Sequence, residues 1–594
     1  MAEKYKLLSQ FGGYFTKLDK TNIKEDKIYL VSPSQNVLVN DGEKVATRGG
    51  YTLLGAANTA TTGIESSYVW VTSSGDEIPL RGYDDELEFY VGTVDSIAFN
   101  AWYRLKASWS AVDFQFAPWW DTTSDFDLLL FVVGDDNIYD WTGAITTLKS
   151  ATANTITKNG TTTWAQERFS TAGTRKVIIN GTEYTYTGGE NTTTLTGVTP
   201  DPSAEAANSL VYQTVRTNAD QPAANAVNDV IAVLENHVFL GNLALKEVSV
   251  SANDDFTDYT FSTPRVPGEG ELLVLDSPTV GFISQEREMW ITAGKDDWYV
   301  TQFEQLDVGS TLTETLKVRK LKTGPQQAAI SQNLITKIKT GVVYVSNELS
   351  LDVLANIENP VAVPLSDPIK PDFDDETFAG GHAIFYKGSI YVSAPANSKA
   401  FIYDVIRKYW QPPQVLPVNF FFIYGGDLYG HSANNPETYK LFDGTNDNAK
   451  SFKATAAFSY RSYGPRFAYK NIDEWATEGY TSSNTELILT LNFDYGGFTQ
   501  SLQKTISGRD ERILFESLEG GSLGVSPLGD ASLGDSESEM SVLSKFKVIH
   551  TFPKQDFFEI QAIYETDDVD RQWQILAFGG NAEFSKNMPI TIKQ

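Results

Sequence analysis

Apolar and polar positions along this chain fall into short hairpins, each an apolar run, a tight polar turn and a second apolar run. They read as Leu128 to Trp141 around Gly134-Asp135-Asp136-Asn137, His237 to Val250 around Gly241-Asn242, and Val280 to Thr292 around Gln285-Glu286. Three more follow: Val342 to Val353 around Ser346-Asn347, Ala383 to Ser393 around Lys387-Gly388, and Phe421 to Gly430 around Gly425-Gly426. The steps from 242 to 286, 286 to 347, 347 to 387 and 387 to 425 are 44, 61, 40 and 38 residues. Repetition every ~40 to 50 residues with β signal in each unit predicts the blades of a β-propeller. A single blade cannot bury both its faces, so blades stack round an axis and their strands carry apolar residues on both sides, as in Ala383-Ile384-Phe385-Tyr386.

The same reading divides the chain. Residues 1–66 read as an extended N-terminal arm, with Asp41-Gly42 as a hairpin turn. The propeller occupies 67–145 and 213–449, with a hairpin expected between Tyr68-Val69-Trp70-Val71 and Leu87-Glu88-Phe89-Tyr90 around Ser74-Gly75-Asp76. Between the turns at 134 and 242 the step grows to 108 residues and the composition shifts to Thr, Asn and Gly, so 146–212 reads as an inserted small β domain. Its clearest hairpin turns at Asn180-Gly181. Residues 450–594 lose the blade rhythm and gain longer strands, Glu486 to Phe493 and Phe557 to Tyr564, which predicts a C-terminal β-sandwich-like domain. Helical periodicity is confined to short stretches, Gln326 to Ile338 and Ser203 to Tyr212, so the fold class is all-β.

At 594 residues, 41% hydrophobic and 12% aromatic, the chain has material for several packed domains. Its net charge of -29 repels nucleic acid at long range, since phosphate affinity comes mostly from Lys and Arg. Specific DNA binding is disfavoured; acid excess suits either plain solubility or the walls of a channel through which DNA slides without sticking. Without cysteine there is neither disulfide nor thiolate metal site. No apolar run approaches the ~18 residues of a membrane span, and no secretory leader follows Met1.

Motifs for chemistry are scarce, and the reading is of a protein that is not an enzyme and needs no metal or cofactor. His237, His382, His431 and His550 stand in no metal-ligand spacing. Gly520-Gly521-Ser522-Leu523-Gly524 matches the nucleophile-elbow string but precedes Pro527 in a low-complexity loop where the elbow needs a helix. Thr292 to Trp298 lacks the order of a sialidase aspartate box, and a propeller glycosidase would need two carboxylates converging in its mouth. Asp443, Thr445 and Asp447 alternate as calcium ligands do but lack the closing Glu. Trp119 and Trp120 beside Asp121 are the candidate aromatic platform for a glycan, against a buried pair.

Three groups are candidates for a lumen or a subunit interface. Lys317, Arg319, Lys320 and Lys322 make a basic stretch in an acidic chain, read as a solvated strand or as cations that meet DNA or, better suited to so acidic a chain, the acids of a neighbouring subunit. Asp372, Asp374, Asp375 and Glu376 form an acidic run, and Leu523, Leu528 and Leu533 recur five residues apart in a loop suited to docking on a neighbour.

Phe11-Gly12-Gly13, Gln35-Asn36-Val37-Leu38-Val39 and Arg48-Gly49-Gly50 resemble the start of bacteriophage tail and DNA-stabilisation proteins. Ser251 to Tyr259, and Tyr429-Gly430-His431-Ser432 through Asp443-Gly444, resemble blade segments of that group, whose nearest members are the tail nozzle (tail tubular protein B) and the packaged-DNA stabilisation hub. The resemblance covers residues 10 to 444, in pattern more than identity. It implies a virion protein, synthesised in the host bacterial cytoplasm, that forms a homo-oligomeric ring of about six copies. Such a ring sits below the portal and adaptor, meets tail fibre or tip proteins, retains packaged DNA and conducts it without sequence-specific binding. A tail-tip, baseplate or glycan-binding receptor propeller is the alternative.

Overall fold

The computed structural model describes the chain except residues 1–6, 18–26, 41–42, 57–59, 123–124, 136, 172–174, 219–226, 263–267, 309–310, 322, 325, 356–360, 464–467, 483–484, 496–498, 508–543, 567–571 and 585–594. Seven sheets among the described residues, antiparallel but for one added pair at an outer edge, each begin with a strand that neighbours the first strand of the next. In order these are Ser66–Val71, Gln115–Asp121, Val230–Leu234, Thr279–Gln285, Ile335–Ile338, Ala383–Tyr386 and Val418–Tyr424, and the seventh neighbours the first. The ring is therefore a seven-bladed β-propeller, numbered here from the blade that starts at Ser66. Its closure is made by the N-terminal arm. Blade seven takes three strands from Val418 to Leu441 and its outermost from Tyr51–Leu53, in the register Leu441↔Tyr51 to Tyr439↔Leu53.

The turns explain the rhythm of the sequence and its irregularity. Glu235-Asn236, Lys387-Gly388 and Gly425-Gly426 join first to second strands as two-residue loops with both residues at positive φ, the geometry whose twist matches a hairpin. Gly134 and Ser346-Asn347 instead lie between second and third strands. Measured between equivalent turns at Asn236, Arg287, Thr340, Gly388 and Gly426, the steps are about 51, 53, 48 and 38 residues. In blade one, Tyr68–Val71 pairs with Glu77–Tyr83, and Leu87–Tyr90 belongs to the third strand, so the expected hairpin had skipped a strand.

The inserted sheet runs from Ile145 to Tyr212 between the third and fourth strands of blade two and encloses its own core around Trp164, Val177, Tyr186 and Leu195. Asn180-Gly181 is its left-handed hairpin turn. After blade seven, strands from Ala454 onward form two facing sheets, and the arm hairpin of Val37–Asn40 and Lys44–Thr47 completes one of them, Lys44–Thr47 pairing with Trp573–Gly580. Alternate residues Leu487, Leu489, Leu491 and Phe493 are wholly buried between these sheets, as one sandwich strand requires. Phe11–Tyr14 and Ile28–Leu30 extend the outer edge of blade six. The segment read as an arm is thus divided among a blade edge, the sandwich and the closing strand.

Neither expected helix forms. Gln332–Leu334 is one 3-10 turn leading into the strand Ile335–Ile338, whose two isoleucines face the core, and Leu210–Tyr212 is a strand buried in the insert. Short apolar runs fit either period, and the neighbouring sheets decide.

Candidate functional site

The first strands of the blades surround the central channel. A cavity of about 470 Å3 lies in it, walled by Tyr68, Val69, Ile283, Ile335, Ile384 and Ile423. Tyr68 stacks on Phe116 of the next blade at 5.3 Å between ring centres, and burial pushes its phenol up to about 12. Lys337 is the cation on this wall, its Nζ donating to the Ser284 carbonyl at 3.4 Å. The wall is thus mostly apolar, with Glu77 and Lys337 as its two charged members.

One mouth of the channel is polar. Asp113 and Gln115 precede or open the first strand of blade two, Asp229 precedes that of blade three, Thr279 opens that of blade four, and Gln332 and Asn333 precede that of blade five. They line a cavity of about 290 Å3. Gln115 Nε2 donates to Asp113 Oδ1 at 3.2 Å and Asn333 Oδ1 at 3.3 Å, while Asp229 Oδ2 accepts from the Leu243 amide at 2.8 Å. Much of Asp113 faces the cavity, yet its carboxyl sits among protein atoms. That desolvation raises its pKa, the Gln115 bond opposes the rise, and the negative field of Asp229 adds to it.

The basic stretch lies on Thr311–Leu321, the outer strand of blade four, which with Asp297–Val308 runs well past the other strands of that blade as a two-stranded ribbon. Lys317 pairs with Glu304, and Lys320 Nζ lies 2.8 Å from Asp297 Oδ1 and also holds Asp276, so hydrogen bonds to these acids raise its pKa. Arg319 is exposed on the same strand and Lys322 lies outside the described residues. The acidic run forms or follows the single helical turn Lys370–Asp374 between blades five and six, away from the channel. Asp372 accepts from the Tyr14 hydroxyl of the arm, Asp374 pairs with Lys370 at 2.9 Å, and Asp375 is exposed. Glu376 is buried, pairs with Lys399 and accepts from Asn397 Nδ2 at 2.7 Å. Leu523, Leu528 and Leu533, with the Gly520 to Gly524 string, lie outside the described residues.

The remaining candidates have structural tasks. Trp119 is buried against Phe256 while Trp120 is 40% exposed, so the two rings form no common platform. Asp443 accepts from Thr52 at 2.8 Å and Asp447 grips Arg48, which accounts for two members of the calcium-like alternation. Asp296 and Asp297 accept from the Gln326 amide and Ser277. His237 Nδ1 lies 2.8 Å from the Ser251 carbonyl while its ring stacks on Phe303, and His431 Nδ1 lies 2.8 Å from Thr438 Oγ1. No group of three His, Cys, Asp or Glu side chains able to hold a metal, and no helix long and apolar enough to cross a membrane, occurs among the described residues.

No family model and no curated protein matches this chain. Solved structures align at low similarity. Ika8, a computationally designed protein, has 10% identity over 66% of this chain and 99% of its own, with a TM-score of 0.31. BBS1N, solved in complex with ARL6DN, has 9% identity over 68% and 100%, with 0.35, and Hsv2 of Kluyveromyces lactis has 11% over 59% and 97%, with 0.24. The fold assignment accordingly rests on the sheet order and ring closure.

Sequence reasoning missed the mouth residues. Positions 113, 229, 279 and 333 are distributed over four blades, and only ring closure brings them together.

Proposed function

We propose that the chain is a structural subunit of a bacteriophage tail, assembling as a nozzle ring below the portal and adaptor that retains packaged DNA and conducts it during ejection. The observation that carries this reading is the pair of β modules that leave a closed, rigid propeller: the insert Ile145 to Tyr212 from blade two and the long ribbon Asp297 to Leu321 from blade four. Rigid blades fix the directions of such modules, and modules on fixed directions are what a closed ring needs for repeated contacts. The motifs Phe11-Gly12-Gly13 and Arg48-Gly49-Gly50, which resemble those of nozzle and hub proteins, support the same role. Because mostly apolar side chains line the propeller's own channel, DNA in this reading passes between copies. A surface contributed by a chain of net charge -29 lets it slide without capture.

Mass photometry of the purified chain, alone and with the adaptor ring of the same phage, tests this. A closed ring of about six copies, free or formed on the adaptor, is expected. A monomer indifferent to the adaptor would overturn it, and glycan-array binding by that monomer would establish a receptor-binding propeller instead.

A further inference from the structure

We infer that copies of this chain meet head to tail, the turn Val405-Ile406-Arg407-Lys408 of blade six in one copy seating in the polar mouth of blades two to five in the next. Strands alternate in direction within a blade. Turns joining first to second and third to fourth strands therefore share one end of the channel, while the starts of first strands and the turns joining second to third strands share the other. The turn at 405–408, between Lys399–Asp404 and Tyr409–Trp410, lies at the first end, where the Val405 amide donates to the Gly388 carbonyl at 3.0 Å. Asp113, Asp229 and Leu243 lie at the second. The two patches point away from each other and cannot meet within one chain.

The turn is an apolar knob in a cationic setting. Ile406 is 75% exposed, more than any other large hydrophobic side chain among the described residues, and it lies over Gly388, where a Cβ would come within 2.9 Å of its Cδ1. Arg407, Lys408 and Lys387 around it are exposed. The nearby acids Asp404 and Asp427 already pair with Arg407 and Lys440, so among the described residues Lys387 and Lys408 have no carboxylate within ion-pairing distance. This gathering of cations stands in a chain with 76 acidic and 47 basic residues.

The mouth is the complement. Its cavity of about 290 Å3 has Leu243, Val280 and Ile330 on its apolar wall and Asp113 and Asp229 beside them, with Leu243 53% exposed. Neither carboxylate has a Lys or Arg within ion-pairing distance among the described residues, although the chain pairs many of its other acids. Seating Ile406 there takes two exposed aliphatic side chains out of water and brings cations to two carboxylates that otherwise oppose each other's ionisation. Opposite charges on the two patches steer the encounter and fix its register. Since each copy offers two different patches, the contact is heterologous, the kind that closes into a ring when its rotation allows. A nucleic acid would engage the cations but leave Ile406 in water, so a protein surface suits the turn better. The inference rests on the ring reading above, whose interface it specifies.

Sedimentation velocity of the full chain, alone and with the adaptor ring, tests it. The wild-type chain is expected to associate, and less tightly as salt rises. Ile406→Asp, Lys408→Glu and Asp113→Lys, all at exposed positions, are each expected to weaken association about tenfold or more with Tm unchanged. Combining Lys408→Glu with Asp113→Lys is expected to recover part of the loss; additive loss would overturn the pairing of these two patches. A ring that survives both Ile406→Asp and Leu243→Asp unweakened would overturn this contact and leave the ring reading standing, whereas a wild-type chain monomeric in both settings would overturn both.

Discussion

Arg48 holds Asp447 through two hydrogen bonds, Nη1 to Oδ1 at 2.7 Å and Nη2 to Oδ2 at 2.6 Å, across 399 residues of sequence. The same guanidinium donates from Nε to Asn36 Oδ1 at 3.0 Å and from Nη2 to the Val415 carbonyl at 3.0 Å, and lies 4.0 Å from the Phe452 ring centre. It thus ties the arm, the exit of blade six and the passage from blade seven into the sandwich. The two glycines beside it let the chain come this close: a Cβ on Gly50 would lie 1.8 Å from the Asn446 carbonyl oxygen, and one on Gly49 2.5 Å from that of Phe442. Arg48-Gly49-Gly50 is therefore a structural joint.

Removing the guanidinium strands a buried carboxylate. Arg48→Ala is expected to cost about 3–5 kcal/mol of unfolding free energy, read from the midpoint and slope of guanidinium denaturation. A loss below about 1 kcal/mol would mean that the pair is solvated in solution.

Closure by Tyr51–Leu53 makes the propeller depend on a strand far from the rest of its blade. Leu54 donates to the Thr438 carbonyl, so the alternation of an antiparallel ladder places the Thr52 amide on Lys440. Thr52→Pro deletes that bond and is expected to destabilise by about 1–3 kcal/mol. Limited proteolysis is then expected to cut first at the edge of blade seven, and unchanged cleavage would show that closure does not need this strand.

Closure is also polar. The seams carry apolar clusters, such as Trp290, Trp298 and Tyr344 between blades four and five and Ile64, Tyr83 and Phe420 between blades seven and one. Between blades seven and one, buried Arg81 pairs with Glu88 at 2.7 Å, donates to Thr438 at 3.2 Å and stacks on Trp102 at 4.0 Å, with His431 against the same tryptophan. Burial, then Arg81 and His382, holds His431 well below its ordinary pKa, and burial lowers that of His382 to about 4. Both rings are neutral in the fold, while in the unfolded chain they protonate near 6.5. The unfolded state therefore binds more protons, and stability falls as pH drops from about 6.5 towards 4. At pH 5 each histidine accounts for a loss of at most about 2 kcal/mol. Urea midpoints between pH 7 and 5 are expected to fall, and to fall less in His382→Asn; an identical slope in that variant would remove the assignment.

Much of this architecture was legible in turns. Asn180-Gly181 and Lys387-Gly388 adopt left-handed pairs that only a few residue types favour, so their hairpins stand out in the sequence. Blade number was not legible, because the last strand of blade seven lies at Tyr51–Leu53 and because turns from different strand pairs share the same chemistry. Ile335–Ile338 looked helical since four residues show too little of any period, and the strands on either side settled it. The mouth residues carried no signal, as no local pattern links Asp113 to Asn333.

The cations of blade four divide folding from assembly. Lys317 and Lys320 already meet Glu304, Asp276 and Asp297 within the chain, at exposed positions where such pairs contribute little. If that is their whole task, the neutral double variant Lys317→Gln, Lys320→Gln lowers the urea midpoint slightly and leaves the oligomeric mass unchanged, which is the expected outcome. Glutamate at both positions would instead set two more carboxylates beside Glu304, Asp276 and Asp297 and lower the midpoint further in low salt, an effect that screening by about 0.5 M salt should largely remove. A neutral variant that keeps its urea midpoint but loses its ring mass would show that these lysines exchange their acids for those of a neighbouring copy on assembly.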